Sequence, residues 1–177
     1  MHRLFVGLRP PPAIRTCLLA LMGGVAGARW QDDDQLHCTL RFVGEVERPV
    51  AEDVALALGS VRHPRIISAL NGVGSFERRG RVNALWAGLT PHAPLAQLHR
   101  KVDQALIRAG LAPEQRAYIP HITLARLGST AGPTHQFIVD HAALASPPFE
   151  FTYFTLFESH LGHDGASYEA VERYPLD

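Results

Sequence analysis

The chain is short of lysine, of cysteine and of uninterrupted hydrophobic sequence, and it carries no net charge. Seventeen basic residues balance seventeen acidic ones. That argues against a protein that holds long nucleic acid by charge alone and leaves room only for a local basic patch. Lys101 is the only lysine. The two cysteines, Cys17 and Cys38, cannot build a disulfide framework or a cysteine-rich zinc site, and they fit a reducing cytoplasm. No apolar run reaches the roughly 18 residues of a membrane-spanning helix, so no membrane partner is expected. The Gly-x4-Gly-Lys-Ser/Thr pattern of a phosphate-binding loop is missing, and Gly72-Val73-Gly74 lacks the third glycine of a dinucleotide fingerprint. Neither ATP nor a nicotinamide cofactor is therefore implied. Residues 17–28 end in Ala26-Gly27-Ala28, like a signal-peptide cleavage site. The preceding sixteen residues are too long and too proline-broken for such a leader, and they contain the strand pattern Leu4-Phe5-Val6-Gly7-Leu8.

With 177 residues, of which 46% are apolar and 19% charged, the chain is expected to form one globular domain over residues 1–177 with a real core. Residues 2–8 read as a strand. Pro10-Pro11-Pro12 opens a helix with Ile14, Leu18, Leu21 and Met22 on one stripe, stopped by Gly23-Gly24. Residues 36–43 alternate as a strand. Pro49 starts a helix that ends near Leu58, before Gly59. Residues 65–70 and 82–89 read as strands around a glycine-rich turn over 71–81. Pro91 to Ala109 reads as a helix, 119–127 as a strand, 134–144 as helical, and 149–158 and 167–173 as closing strands. Strands and helices mix without a steady βαβ period, which predicts an α+β fold with mainly antiparallel sheet.

Charge is uneven. Residues 1–29 carry four arginines and no acid, residues 62–81 carry five arginines against Glu77, and residues 130–177 carry seven acids against Arg173. If the two basic segments meet in space, they form a positive surface for a phosphate-bearing ligand. If they do not, they are solvated faces.

The chemistry sits in an internal repeat. Residues 37–44 read His-Cys-Thr-Leu-Arg-Phe-Val-Gly and residues 121–128 read His-Ile-Thr-Leu-Ala-Arg-Leu-Gly. His, Thr, Leu and Gly coincide at a spacing close to half the chain. One His-x-Thr-Leu is uninformative. Two copies half a chain apart predict a duplicated lobe, with one strand from each lobe facing a shared cleft. Period-two alternation puts His37 and Thr39 on one face and His121 and Thr123 on the equivalent face, with Leu36, Cys38, Leu40, Ile122 and Leu124 behind. The same parity turns Cys38 away as a nucleophile. It also sends Phe42 and Arg126 to the apolar side, unless the strands bulge, twist or end before them.

Two imidazoles titrating near neutrality can serve as base and acid in one displacement. Such a pair suits in-line attack at phosphorus, with the Thr39 and Thr123 hydroxyls donating to the non-bridging oxygens. Nothing in this scheme calls for a metal or a cofactor. The remaining histidines offer no zinc-type spacing: His160 and His163 sit near Asp164, and His135 and His141 are six apart. His2, His63, His92 and His99 read as surface or helix residues, Asp32-Asp33-Asp34 as a solvated turn, and Trp30 and Trp86 as core anchors.

The paired motifs resemble those of the two-histidine (2H) phosphoesterase superfamily. More narrowly, the chain is similar to the bacterial and archaeal RNA 2′,3′-cyclic phosphodiesterases, also called 2′-5′ RNA ligases. The likeness runs from Arg3-Leu4-Phe5-Val6 and Trp30, through both motifs, the turn Gly72 to Phe76, and Ala84-Leu85-Trp86-Ala87-Gly88-Leu89, to Ser159, Gly165, Tyr168 and Tyr174-Pro175-Leu176. Phe42, Ala125-Arg126 and the C-terminal features point to that branch. The resemblance implies a two-lobed, pseudo-twofold fold around a central cleft. It implies metal-independent hydrolysis of RNA or nucleoside 2′,3′-cyclic phosphates to 2′-phosphates, and 2′-5′ RNA ligation as the same displacement with an RNA 5′-hydroxyl in place of water. His121 would be the base for water, His37 the acid for the departing 3′-oxygen, and Thr39 and Thr123 phosphate ligands. Phe42 would stack on a base and Arg126 would pair with phosphate. The expected partners are RNA ends or nucleotides with a 2′,3′-cyclic phosphate, the expected place is the cytoplasm, and a monomer is the default. Two other readings remain open: a phosphodiesterase for another cyclic or 2′-5′ substrate, and a non-catalytic module that binds RNA ends.

Overall fold

The computed structural model describes residues 1–177. Its elements in chain order are β1 (His2–Leu8), α1 (Pro12–Leu21), β2 (Arg29–Trp30), a short 3-10 turn (Asp33–Gln35), β3 (Cys38–Val46), α2 (Arg48–Leu58), β4 (Ile66–Arg78), β5 (Arg81–Thr90), α3 (His92–Arg108), β6 (His121–Arg126), α4 (His135–His141), β7 (Phe149–Phe151), β8 (Tyr153–Gly162) and β9 (Gly165–Pro175). The fold is α+β, with strand pairing antiparallel throughout.

The strand order is β7-β4-β5-β6-β3-β1-β8-β9, with β2 beside β6. The path reads the same from either end about its centre: β6 and β3 are inner partners, β5 and β1 flank them, and β4 and β8 lie outside those. The register repeats too. On one side Phe5, Val6, Gly7 and Leu8 pair with Phe42, Arg41, Thr39 and Cys38. On the other Ala84, Leu85, Trp86 and Ala87 pair with Arg126, Ala125, Thr123 and Ile122. These are the two lobes foreseen from the repeat. A single pair, Cys38 with Ile122, joins β3 to β6. The core runs through both halves, with Leu8, Leu18, Leu40, Leu85, Leu95, Leu98, Ile122 and Leu124 almost wholly buried.

The helices follow their sequence signals. Proline opens α1 and α2 within the first turn, where its missing N–H costs nothing, and Gly23 and Gly24 beyond α1 take positive φ. One expectation needs correcting. Residues 71–81 are not a turn between two short strands; β4 and β5 form one long hairpin. The turn is only Arg79-Gly80, both with positive φ, between paired Arg78 and Arg81. The glycines before it serve other ends. Gly72, φ 68°, belongs to a bulge between the Leu70–Leu89 and Val73–Ala87 pairs. A Cβ on Gly74 would lie 2.3 Å from the Trp86 ring.

Candidate active site

The Cys38–Ile122 pair is the hinge of the site. On an antiparallel pair the residues flanking this contact are His37 with Thr123 and Thr39 with His121. All four line one cleft of about 730 Å³. The repeat thus converges as the sequence predicts, while Cys38 points away. Cys38 is fully buried, and burial pushes its thiol up to about 11.

Each imidazole is held by the same device. His37 Nδ1 donates to the Gln35 carbonyl at 2.7 Å, and His121 Nδ1 donates to the Ile119 carbonyl at 2.6 Å. A carbonyl can only accept, so both rings carry their neutral-form proton on Nδ1 and present a bare Nε2. His37 Nε2 accepts from the Thr39 hydroxyl at 2.9 Å. Aromatic rings wall both imidazoles. His37 lies 4.7 Å from Phe5 and edge-on to Tyr168 at 5.3 Å. His121 lies 4.8 Å edge-on to Phe76 and 5.9 Å from Trp86. Desolvation lowers the His37 pKa to about 4, against the hydrogen bond to Gln35 and with help from the Arg126, His121 and Arg9 charges. His121 is lowered as well, first by desolvation and then by Arg126. At neutral pH the free site therefore holds two neutral imidazoles.

Phe42 and Arg126 both line the cleft, against simple alternation. The cause is a β-bulge in each motif at the equivalent leucine. The β1–β3 register skips Leu40 between Arg41 and Thr39, and the β5–β6 register skips Leu124 between Ala125 and Thr123. The extra residue on the bulged strand reverses parity beyond it. Leu40 and Arg41 are consecutively buried, as are Leu124 and Ala125, and Phe42 and Arg126 emerge on the histidine face. Phe42 is 51% exposed, an open apolar face at the mouth.

Sequence reasoning missed several neighbours. Tyr118 donates to the Thr39 carbonyl at 3.1 Å and stacks on His99 at 4.2 Å with rings nearly parallel. His99 in turn donates to the Leu40 carbonyl at 2.6 Å. These contacts brace the bulge, so His99 is more than a helix-surface residue. The Gln35 side chain donates to the Ala166 carbonyl at 2.7 Å and forms a capping box with Asp32, which ties the carbonyl that holds His37 to β9. Trp30 is a core anchor, packed on Phe137 at 5.4 Å. Trp86 backs His121 instead. His63 is buried rather than on the surface. The Asp32–Asp34 stretch is a capped turn whose Asp33 pairs with Arg15 at 2.9 Å.

Known proteins with this pattern bear on the site. The model of the 2′-5′ RNA ligase superfamily matches residues 12–160. An RNA 2′,3′-cyclic phosphodiesterase of Aeropyrum pernix is 38% identical over 97 residues, which are 54% of this chain and 55% of that protein. One from Escherichia coli is 30% identical over 148 residues, covering 81% of this chain and 77% of its own length. The match spans about half the length of the Aeropyrum relative, 55%, and of a Geobacillus stearothermophilus namesake, 47%. Among solved structures, Escherichia coli LigT complexed with 3′-AMP superposes with a TM-score of 0.77 at 27% identity, over 99% of this chain and 98% of that one.

Proposed function

Because the chain belongs to the 2′-5′ RNA ligase superfamily, we propose that residues 1–177 act as one two-lobed RNA 2′,3′-cyclic phosphodiesterase that hydrolyses cyclic phosphate ends to 2′-phosphates by paired-histidine catalysis. The observation that carries this reading is the matched presentation of His37 and His121: each Nδ1–H is tied to a carbonyl, and each unprotonated Nε2 belongs to one cleft, that of His37 meeting the Thr39 hydroxyl. The Aeropyrum and Escherichia relatives add the substrate class.

In this scheme His121 Nε2 takes a proton from water. The water oxygen attacks phosphorus, the bond to the 3′-oxygen breaks, and protonated His37 gives its Nε2 proton to that oxygen. His37 is neutral in the free site, so the anionic phosphodiester supplies the negative charge that brings a proton onto it. Once Nε2 is protonated, the Thr39 hydroxyl no longer donates to it and can turn to a non-bridging phosphate oxygen, as Thr123 does from the other side. Burial lowers the proton affinity of His37 to a pKa of about 4, so the ring, once protonated, is a strong acid for the departing oxygen. An RNA 5′-hydroxyl in place of water gives the 2′-5′ ligation with the same residues.

The test is incubation of the pure protein with a 2′,3′-cyclic-phosphate-ended oligonucleotide in EDTA, read by phosphorus NMR. A 2′-phosphate product is expected, since imidazoles cover both proton transfers. His37→Ala and His121→Ala should each reduce kcat at least about 10²-fold with the fold retained by circular dichroism. Near-native rates in both variants would overturn the mechanism. Turnover of only other cyclic or 2′-5′ phosphodiesters would move the substrate class, and tight binding without product would favour an RNA-end binding module.

A further inference from the structure

The two flanks of the cleft differ in chemistry although the backbone relates them by the pseudo-twofold. On the first, the cross-strand row is Phe42, Phe5 and Phe157, with ring centroids 6.2 and 5.0 Å apart. On the second, the equivalent row is Arg126, Ala84 and Phe76. β2 lengthens that second row by one residue, because Arg29 pairs directly with Arg126 and Trp30 with Ala125. Ala125 is fully buried and Trp30 packs on the core. Alternation therefore puts Arg29 beside Arg126 on the cleft face. Arg78, two residues beyond Phe76 on β4, also lines the cleft. One arginine from each basic segment of the sequence thus lies on this flank.

Two arginines directly opposite each other on neighbouring strands repel. Other arginines near the motif strands face carboxylates, as Arg9 and Arg15 do with Asp33 and Arg41 with Asp103. Arg29, Arg78 and Arg126 take part in none of the ion pairs, and all three are exposed. From β2 across β6 and β5 to β4 is three strand spacings, about 14 Å, more than a single phosphate between the histidines needs.

We propose that Arg29, together with Arg78, extends the positive charge of Arg126 into a track for the phosphate backbone of the single-stranded RNA leading to the cyclic end, so that the site takes an oligonucleotide in preference to a mononucleotide. The proposal rests on the phosphodiesterase reading. Mononucleotide turnover depends on the histidine pair and on Arg126 at the reacting phosphate; the chain upstream of it depends on Arg29 and Arg78.

The experiment compares 2′,3′-cyclic AMP with a 2′,3′-cyclic-phosphate-ended hexanucleotide for the native protein, Arg29→Gln and Arg29→Lys. For Arg29→Gln, KM for the hexanucleotide should rise about three- to tenfold with kcat unchanged, and kcat/KM for cyclic AMP should stay within about twofold. The slope of log(kcat/KM) against log[salt] for the hexanucleotide should become shallower by about 0.7, the value of one single-strand phosphate contact. Arg29→Lys should restore the slope. Equal effects on both substrates, or an unchanged KM and slope, would overturn the track. If the native protein turned over neither substrate, the phosphodiesterase reading would fall. The track would then still be read by fluorescence anisotropy of the labelled hexanucleotide, where Arg29→Gln must weaken binding and flatten its salt dependence for the track to stand.

Discussion

His37 and His121 owe their state to burial among aromatic rings more than to any charged partner, and that has a consequence for stability. In the unfolded chain His37 titrates near the ordinary 6.5, whereas in the fold its pKa is about 4. The unfolded state therefore binds more protons than the native state between these values. The contribution of the neutral ring is fully present above about pH 6.5 and is lost as pH falls towards 4. Urea midpoints of the native protein should drop over this window, with His37 supplying on the order of 3 kcal/mol. His37→Gln, which cannot titrate, should flatten the curve; an equally steep fall in that variant would contradict burial of the His37 ring as the cause. The same residues mark what the sequence discloses. His37, Thr39, His121 and Thr123 were legible because period-two alternation around one bridge pair is a local rule. Gln35, His99 and Tyr118 were not, because their roles come from contacts to β9 and to the motif backbone made by residues distant in sequence.

At the scale of the elements, the two bulges decide what the motif strands present. Helix starts and stops and most strands were legible from proline, glycine and apolar spacing. The bulges were not, since the skipped Leu40 and Leu124 look like ordinary strand residues; only the need to turn Phe42 and Arg126 into the cleft hinted at them. Glycine was the misleading signal. Residues 71–81 read as a turn because glycine permits one, but Gly74 is there so that the Trp86 ring can lie across β4 and back His121. Gly74→Ala puts a methyl group against that ring, wedged between Phe76 and His121. It should cost about 1–3 kcal/mol and lower kcat/KM by displacing Trp86, with a change in tryptophan emission reporting the shift. Gly128→Ala is the control. Although Gly128 coincides with Gly44 in the repeat, only Gly44 has positive φ, and a Cβ on Gly128 meets nothing within 4 Å. Gly128→Ala should leave stability and emission unchanged, and equal effects from both substitutions would remove the argument.

At the scale of the whole molecule, the sequence announced two related halves but not how they are locked. The single β3–β6 pair leaves little backbone bonding across the pseudo-twofold, so side chains must carry the junction. One such link is Arg41, the residue that the first bulge buries. It is 7% exposed, and its Nε donates to Asp103 on α3 at 2.8 Å, while its terminal nitrogens donate to the carbonyls of Phe42 and Ala112. Asp103 also accepts from the Glu114 backbone N–H at 3.2 Å. One buried pair thus ties the first motif strand to α3, which joins β5 to β6 in the chain, and to the loop that leads to His121. Removing one partner leaves the other charged and uncompensated, so Asp103→Ala should destabilise the protein by about 3–5 kcal/mol. Replacing both with apolar residues of similar volume, Arg41→Met with Asp103→Leu, should recover much of that loss, because the desolvation of both charges disappears with the pair. Activity separates the two effects. If the pair also fixes the relative position of the motif strands, the double variant should regain stability while kcat stays below the native value. A double variant as unstable as Asp103→Ala would show that the carbonyls bonded by Arg41, rather than the charge on Asp103, hold the junction.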